Sequence, residues 1–376
     1  MCEDKAVITL QRFDWWMILA AFVLFCFGIA TITSVELSQG AEEFIFVRKQ
    51  LIALGLGLGL CVAAASVNYQ LYRAYSHILY WLALGLLIAV LIFGETLNGT
   101  TGWFVLAGFS FQPVELMKLA LALELAGYFS DHARERFGWR ELLQTGVRAL
   151  LPAIFVLQQP DLGGALILIG IWIVMVFFAG IRWQHVAALL LSFGLIAGAV
   201  MVSGQLPDYQ LERIATFLNP ASDPLETGYN VTQAKIAIGA GGLLGRGLGA
   251  GSQSQLRFLP ESQTDFIFAV IAEELGFVGV IVVLAAFLLL FVRMLKTVRM
   301  TRDAFAAYLL IGILATFFVQ TCIHVGVNLS IMPATGVTLP FVSYGGSSLI
   351  VMFVMLGVAQ SIASRITPVD RLASQH

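Results

Sequence analysis

Apolar stretches of about twenty residues recur along most of this chain, with almost no charge inside them. That is the length an α-helix needs to cross a bilayer's hydrocarbon core. In lipid the backbone must pair its own polar groups, which leaves helices and closed barrels as the stable spanning forms. The expected fold is therefore all-α, a polytopic integral membrane helix bundle. Spans are expected near 15–34, 48–66, 76–94, 113–130, 147–158, 163–180, 184–203, 265–292, 304–328 and 345–363, about ten transmembrane helices in a single domain over 1–376. The fifth is short and contains Pro152. It meets the sixth at Gln158-Gln159-Pro160-Asp161, so a broken or re-entrant pair is an alternative there.

Composition supports lipid as the main solvent. Charged residues make up 12% of the chain, half of the roughly 25% of a soluble domain. The net charge of −2, with no basic arm, gives no sign of nucleic acid as a partner. Cys2, Cys26, Cys61 and Cys322 are scattered and imply neither a disulfide framework nor a metal cluster. The first apolar stretch follows Glu3 and Asp4, exceeds a signal-peptide core in length and lacks a small-residue cleavage site, so it reads as an uncleaved helix.

Most of the 21 Lys and Arg fall on one side if both termini are cytoplasmic, which sets the expected orientation. One outer loop, 204–264 between helices seven and eight, is about sixty residues long, and loops of that length are usually functional or disordered. It carries Tyr209, Phe217, Tyr229 and Phe258, too much apolar surface for disorder, and is expected to fold over the outer mouth with a short helix at Val231–Ile238.

Ionisable residues in spans are costly and tend to mark sites. Glu115 and Lys118, three apart at the start of the fourth helix, share a face: either a self-neutralised helix start or an anion binder facing a cavity. Asp161 either N-caps the sixth helix or serves a site. Asp265, after the amphiphilic run Pro260-Glu261-Ser262-Gln263-Thr264, stands where an apolar wall meets water, either a dipole partner or a base. Glu124, Glu273 and Glu274 lie deeper, as interhelical ties or polar steps on a path. The small residues around Ser343 in Pro340–Ser348 suggest close packing. The glycines of 239–251 follow no strand and precede no GK[ST], so they make a poor nucleotide loop. The five histidines show no metal-ligand spacing.

Five segments together resemble the SEDS family (shape, elongation, division, sporulation), in its rod-shape (RodA) and division (FtsW) branches. They are QPVELMKL, QQPDLGGAL, ATFLNPASDPLETGYNVTQAKIAIGAGGLLGRGLG, FLPESQTDFIFAVIAEELGFVG and LPFVSYGGSS. The resemblance covers nearly the whole chain and is densest from Tyr209 to Ser348. It implies a glycosyltransferase of the inner membrane that polymerises lipid II on the outer face and works beside a class B penicillin-binding protein. It implies Asp265 as the catalytic residue, with Lys118 and Asp161 in the same outer cavity. The SQSQLRFLPE stretch leans towards the rod-shape branch. One departure concerns charge: where the family carries two arginines before the tryptophan, this chain reads Gly99-Thr100-Thr101-Gly102-Trp103. Arg48, Arg213, Lys235 or Arg246 are then expected to meet the pyrophosphate, with Glu115, Gln263 and Ser343 also assigned to substrate. A divalent cation, Mg²⁺ or Mn²⁺, is an option at Asp265. Translocation of lipid II, or scaffolding of a penicillin-binding protein, are the alternative functions.

Overall fold

The computed structural model describes residues 12–38, 43–97, 99–106, 109–133, 137–181, 184–185, 187–188, 191, 194, 227–255 and 258–366. Arg213, residues 204–226 of the long loop and nearly all of the expected span 184–203 lie outside the described residues. The elements in order are α1 (Trp15–Ser38), α2 (Ile45–Ser66), α3 (Tyr69–Phe93), β1 (Glu95–Leu97), β2 (Thr100–Leu106), β3 (Phe109–Phe111), α4 (Pro113–Asp131), α5 (Trp139–Gln158) and α6 (Leu162–Phe178). After them come α7 (Thr227–Gly241), the short α8 (Ser252–Gln255), α9 (Ile267–Met300), α10 (Ala304–Asn328) and α11 (Gly346–Ala363). Among the described helices, α1, α2, α3, α9, α10 and α11 are long and apolar enough to cross a membrane, and the chain is a multi-span membrane protein.

The helix starts are written in local chemistry. Asn68 accepts the Gln70 N–H at 3.1 Å to cap α3, and Asp303 accepts Phe305 N–H at 2.8 Å to cap α10. Pro113 opens α4, where its missing N–H costs nothing. The helix α4, which carries Glu115, Lys118 and Glu124, is largely enclosed by protein: α3, α6 and α10 pack around it, so its charges avoid lipid. Glu124 there accepts Arg148 Nε at 2.9 Å and lies 3.3 Å from His77 Nδ1. It is an interhelical tie.

A three-stranded antiparallel sheet, β1-β2-β3, joins α3 to α4. Sequence periodicity does not announce it: β1 and β3 have three residues each, and the seven of β2, Thr100–Leu106, do not alternate apolar with polar.

Pro152 does not break α5, and Tyr80 is the reason. A proline leaves the carbonyl four residues earlier without its helical donor. Here that carbonyl, Arg148 O, accepts the Tyr80 hydroxyl at 2.8 Å, from a side chain that is itself buried. Tyr80→Phe should therefore cost about 1–3 kcal/mol, the penalty of a buried acceptor left unpaired. Thermal unfolding in detergent, with exposed Tyr75→Phe as control, tests this. Equal effects of the two changes would show that Arg148 O does not depend on Tyr80.

The 34 residues of α9 contain a break at Gly276, at φ 65° and ψ −165°. A broken helix in lipid strands backbone donors and acceptors at several kcal/mol each. The glycine-rich segment after α7 fills the break. Phe277 N–H donates to Gly242 O at 3.0 Å and Val278 N–H to Leu243 O at 3.1 Å. In return Arg246 N–H reaches Glu273 O at 3.0 Å and Gly247 N–H reaches Glu274 O at 2.9 Å. A Cβ at 276 would collide with the backbone of residues 243–245. The two glutamates secure the same plug: Glu273 accepts Gln253 N–H at 3.0 Å, and Glu274 accepts Gly249 N–H at 3.3 Å as well as the Ser34 hydroxyl of α1 at 2.6 Å. The glycine run thus has a structural purpose, and Val231–Ile238 forms the middle of the longer α7.

Candidate active site

Five helices begin at one end of the bundle around a single cavity of about 1170 Å³: α2, α4, α6, α9 and α11. A helix start carries roughly half a positive charge, and two of these already meet a carboxylate: Glu36 accepts the Phe46 and Val47 N–H groups at α2, and Asp161 accepts Gly164 N–H at α6. The strand β2 contributes Thr100 and Trp103, and the segment 334–338 closes another wall. The ionisable lining residues are Glu43, Arg48, Lys49, Glu115, Lys118, Asp161, Glu261 and Asp265. Acids outnumber cations here, so an anion entering the cavity would depend on Arg48, Lys49 and Lys118 together with the helix starts.

Asp265 lies on a backbone held at three successive carbonyls by two other parts of the chain. Gln263 O accepts Tyr344 N–H at 2.9 Å, Thr264 O accepts the Ser343 hydroxyl at 2.7 Å, and Asp265 O accepts Asn328 Nδ2 at 3.0 Å. Its own N–H donates to Glu261 O at 3.1 Å, closing a turn into α9. Two residues that frame this turn, Glu261 (φ 50°) and Phe341 (φ 63°), occupy the left-handed region, where non-glycine residues are strained. Gly336 (φ 69°) faces the carboxylate: a Cβ there would stand 3.7 Å from Asp265 Oδ2.

Lys118 sits at the opposite wall, 2% exposed. Its ammonium donates to Glu115 Oε1 at 2.9 Å and to Gln320 Oε1 at 3.1 Å. The Glu115–Lys118 pair is self-neutralised, and both residues also line the cavity. Asp161 caps α6 through Gly164 N–H at 2.7 Å, accepts Gln112 Nε2 at 3.3 Å and lines the same cavity.

Of the cations expected near the site, Arg48 lines the cavity, and its neighbour Lys49 joins it. Lys235 is exposed on α7 and Arg246 donates to Ala240 O and Ser252 Oγ beside the α9 break; neither is among the lining residues. Gln263 and Ser343 support the Asp265 turn from behind rather than line the cavity. The turn without arginines lies in the β1–β2 hairpin. Gly102 there is buried, and a Cβ would come 3.2 Å from Gln159 Oε1, so a larger side chain would have to shift that amide. Gln320, Thr338 and Asn328 were not singled out as site residues. The signal was present: Gln320, His324 and Asn328 repeat every four residues in an otherwise apolar helix.

Comparison with known proteins places the chain in a family. A family model for FtsW, RodA and SpoVE, described as a cell cycle protein, matches residues 14–367. The chain is 36% identical over 369 residues to a probable peptidoglycan glycosyltransferase FtsW of Geobacter metallireducens, covering 95% of this chain and 96% of that protein. A solved chain described under the structural coordination of polymerization and crosslinking by a peptidoglycan synthase complex matches with a TM-score of 0.80 and 32% identity, over 93% of this chain and 97% of that one. The rod shape determining protein RodA of Thermus thermophilus matches with a TM-score of 0.69 and 29% identity, over 94% and 97%.

Proposed function

The chain belongs to the FtsW, RodA and SpoVE family of cell cycle proteins, and on that premise we propose that it is a peptidoglycan glycosyltransferase polymerising lipid II into β-1,4-linked glycan strands. The observation that carries this reading is a single cavity ringed by five helix starts and lined by both Asp265 and Lys118. Such a cavity offers the reaction what it needs: a base, a seat for a pyrophosphate, and an adjoining lipid phase for the polyprenyl tails.

In the proposed reaction Asp265 takes the proton of the acceptor sugar's 4-hydroxyl as that oxygen attacks the donor's anomeric carbon. The bond from that carbon to the pyrophosphate oxygen breaks, the lipid pyrophosphate leaves, and inversion of an α-linked donor gives the β product. Lys118, Arg48 and the helix starts stabilise the leaving pyrophosphate. Among the described residues no three His, Cys, Asp or Glu form a metal cage, so a Mg²⁺ or Mn²⁺ bound here would be held by Asp265 together with the substrate's phosphate oxygens. When bound, it would supply further positive charge at the pyrophosphate.

The cavity is assigned to the outer face of the cytoplasmic membrane, with both termini inside, on the distribution of Lys and Arg. A class B penicillin-binding protein is the proposed partner, in keeping with the crosslinking complex that contains a similar chain. Within the family the SQSQLRFLPE stretch favours elongation over division. Rescue of cells depleted of their division enzyme, with no rescue of elongation-depleted cells, would reverse that choice. Translocation of lipid II is less supported, because the deep acids serve Arg148 and the α9 plug.

Purified protein supplied with lipid II, with and without the partner, in Mg²⁺, Mn²⁺ or chelator, is expected to make long glycan that muramidase digests. No polymer under any of these conditions, from well-folded protein, would sink the proposal and leave translocation or scaffolding.

A further inference from the structure

Three polar side chains stand in a row on α10: Gln320, His324 and Asn328, exposed by 1%, 0% and 0%. At a spacing of four they share one helical face. Burying them in an apolar helix is costly unless their hydrogen bonds are made, and each makes one to a carbonyl of the cavity's walls. Gln320 Nε2 donates to Thr338 O at 2.9 Å, and His324 Nδ1 to Val337 O at 2.7 Å. Asn328 Nδ2 donates to Asp265 O at 3.0 Å. The two ends of the row also hold the two functional groups. Gln320 Oε1 accepts Lys118 Nζ at 3.1 Å, while Asn328 Oδ1 accepts Ala269 N–H at 3.1 Å in the first turn of α9.

A rigid helix therefore connects the ammonium to the peptide that carries the carboxylate. Its two contact points are eight residues apart, about 12 Å along the axis. Apolar side chains would pack α10 as well, and more cheaply. The row is explained by what it holds rather than by the helix's own stability.

We propose that this face of α10 is a ruler that fixes Asp265 relative to Lys118, with Asn328 the positioning residue for the Asp265 peptide. The proposal rests on the reading of Asp265 as the base. Asn328 does not reach the reacting atoms. It grips the carbonyl that follows the Asp265 side chain, as Ser343 grips the one before it. With one grip gone the peptide can rotate, and the carboxylate swings with it while the cavity's lining stays the same.

Asn328→Leu keeps the volume and removes the donor, and Ala269 N–H retains Phe266 O at 3.0 Å as a second acceptor. Asn328→Ser is the companion variant: its hydroxyl can bond back to His324 O but is too short for Asp265 O. Two readouts are needed. In polymerisation assays kcat should fall by roughly a hundredfold, as misplacement by about an ångström can cause, with KM for lipid II and the melting temperature little changed. In an Asp265→Cys background, which needs no activity, either Asn328 change should alter several-fold the rate at which a membrane-impermeant maleimide labels the introduced thiol. Unchanged labelling in both variants overturns the proposal whether or not the parent polymerises. Loss of the fold in both assigns Asn328 a structural role and overturns it too. A labelling shift in a parent that makes no glycan would uphold the ruler and sink the polymerase reading alone.

Discussion

Asp265→Asn should reduce glycan polymer from lipid II by a factor of about 10²–10⁴, the range over which a positioned base contributes, with the protein still folded and in the membrane. The fold is expected to survive because the backbone contacts of residues 263–265 do not depend on the side chain that is changed. The carbonyls of Gln263, Thr264 and Asp265 and the Asp265 N–H keep every partner in the variant. The amide matches the carboxylate in size but cannot take a proton from a sugar hydroxyl, and it binds a cation far more weakly. Polymer yield and melting temperature, measured on the same preparation, separate the two contributions. Wild-type yield from the variant would remove Asp265 from the chemistry. Loss of yield together with loss of the fold would contradict the backbone argument.

Lys118→Met should cost stability as well as activity, and the two should come apart in a double variant. The Lys118 and Glu115 side chains are 3% and 7% exposed, 2.9 Å apart. Removing one member of a buried pair leaves an uncompensated charge, at about 3–5 kcal/mol. The Arg73–Asp131 pair is as close, at 2.7 Å, but its side chains are 42% and 61% exposed, where a pair is worth about 0–1 kcal/mol. Arg73→Met is therefore the control and should scarcely move the melting temperature. Adding Glu115→Gln to Lys118→Met removes the stranded carboxylate and should restore most of the stability. Polymerisation should stay low, because the cation that faces the leaving pyrophosphate is still missing. A double variant that recovers both stability and activity would reduce Lys118 to a counter-ion for Glu115. Detergent unfolding and a lipid II assay on four proteins decide the matter.

The spans were legible because lipid leaves the backbone no local choice. The expected 304–328 and 113–130 correspond to α10 at Ala304–Asn328 and α4 at Pro113–Asp131. Helix starts were legible where a cap or a proline acts within one turn, as at Pro113 and Asp161. Pro152 and the glycine run were visible but not interpretable. The donor that spares α5 comes from Tyr80, and the break that the glycine run fills comes from Gly276, both distant in sequence. Sequence puts Lys235 and Arg246 near the substrate as cations of the outer loop, and Gln263 and Ser343 as members of the motifs. Neighbouring side chains on a turn or helix point different ways, so proximity in sequence did not place them at the cavity.

The sequence by itself determined that this chain spans a membrane many times, where most of its helices begin and end, and which carboxylate and lysine to suspect. These follow from apolar run length, capping chemistry and the cost of charge in lipid, all of which act over a few residues. The tertiary structure brings Asp265, Lys118 and Asp161 to one cavity, as the family resemblance implies, and it alone decided that α9 is broken and plugged and that one face of α10 reaches both Lys118 and the Asp265 peptide. Each of these depends on hydrogen bonds between segments tens to hundreds of residues apart. No local pattern encodes such a bond, since its geometry exists only once the helices have packed.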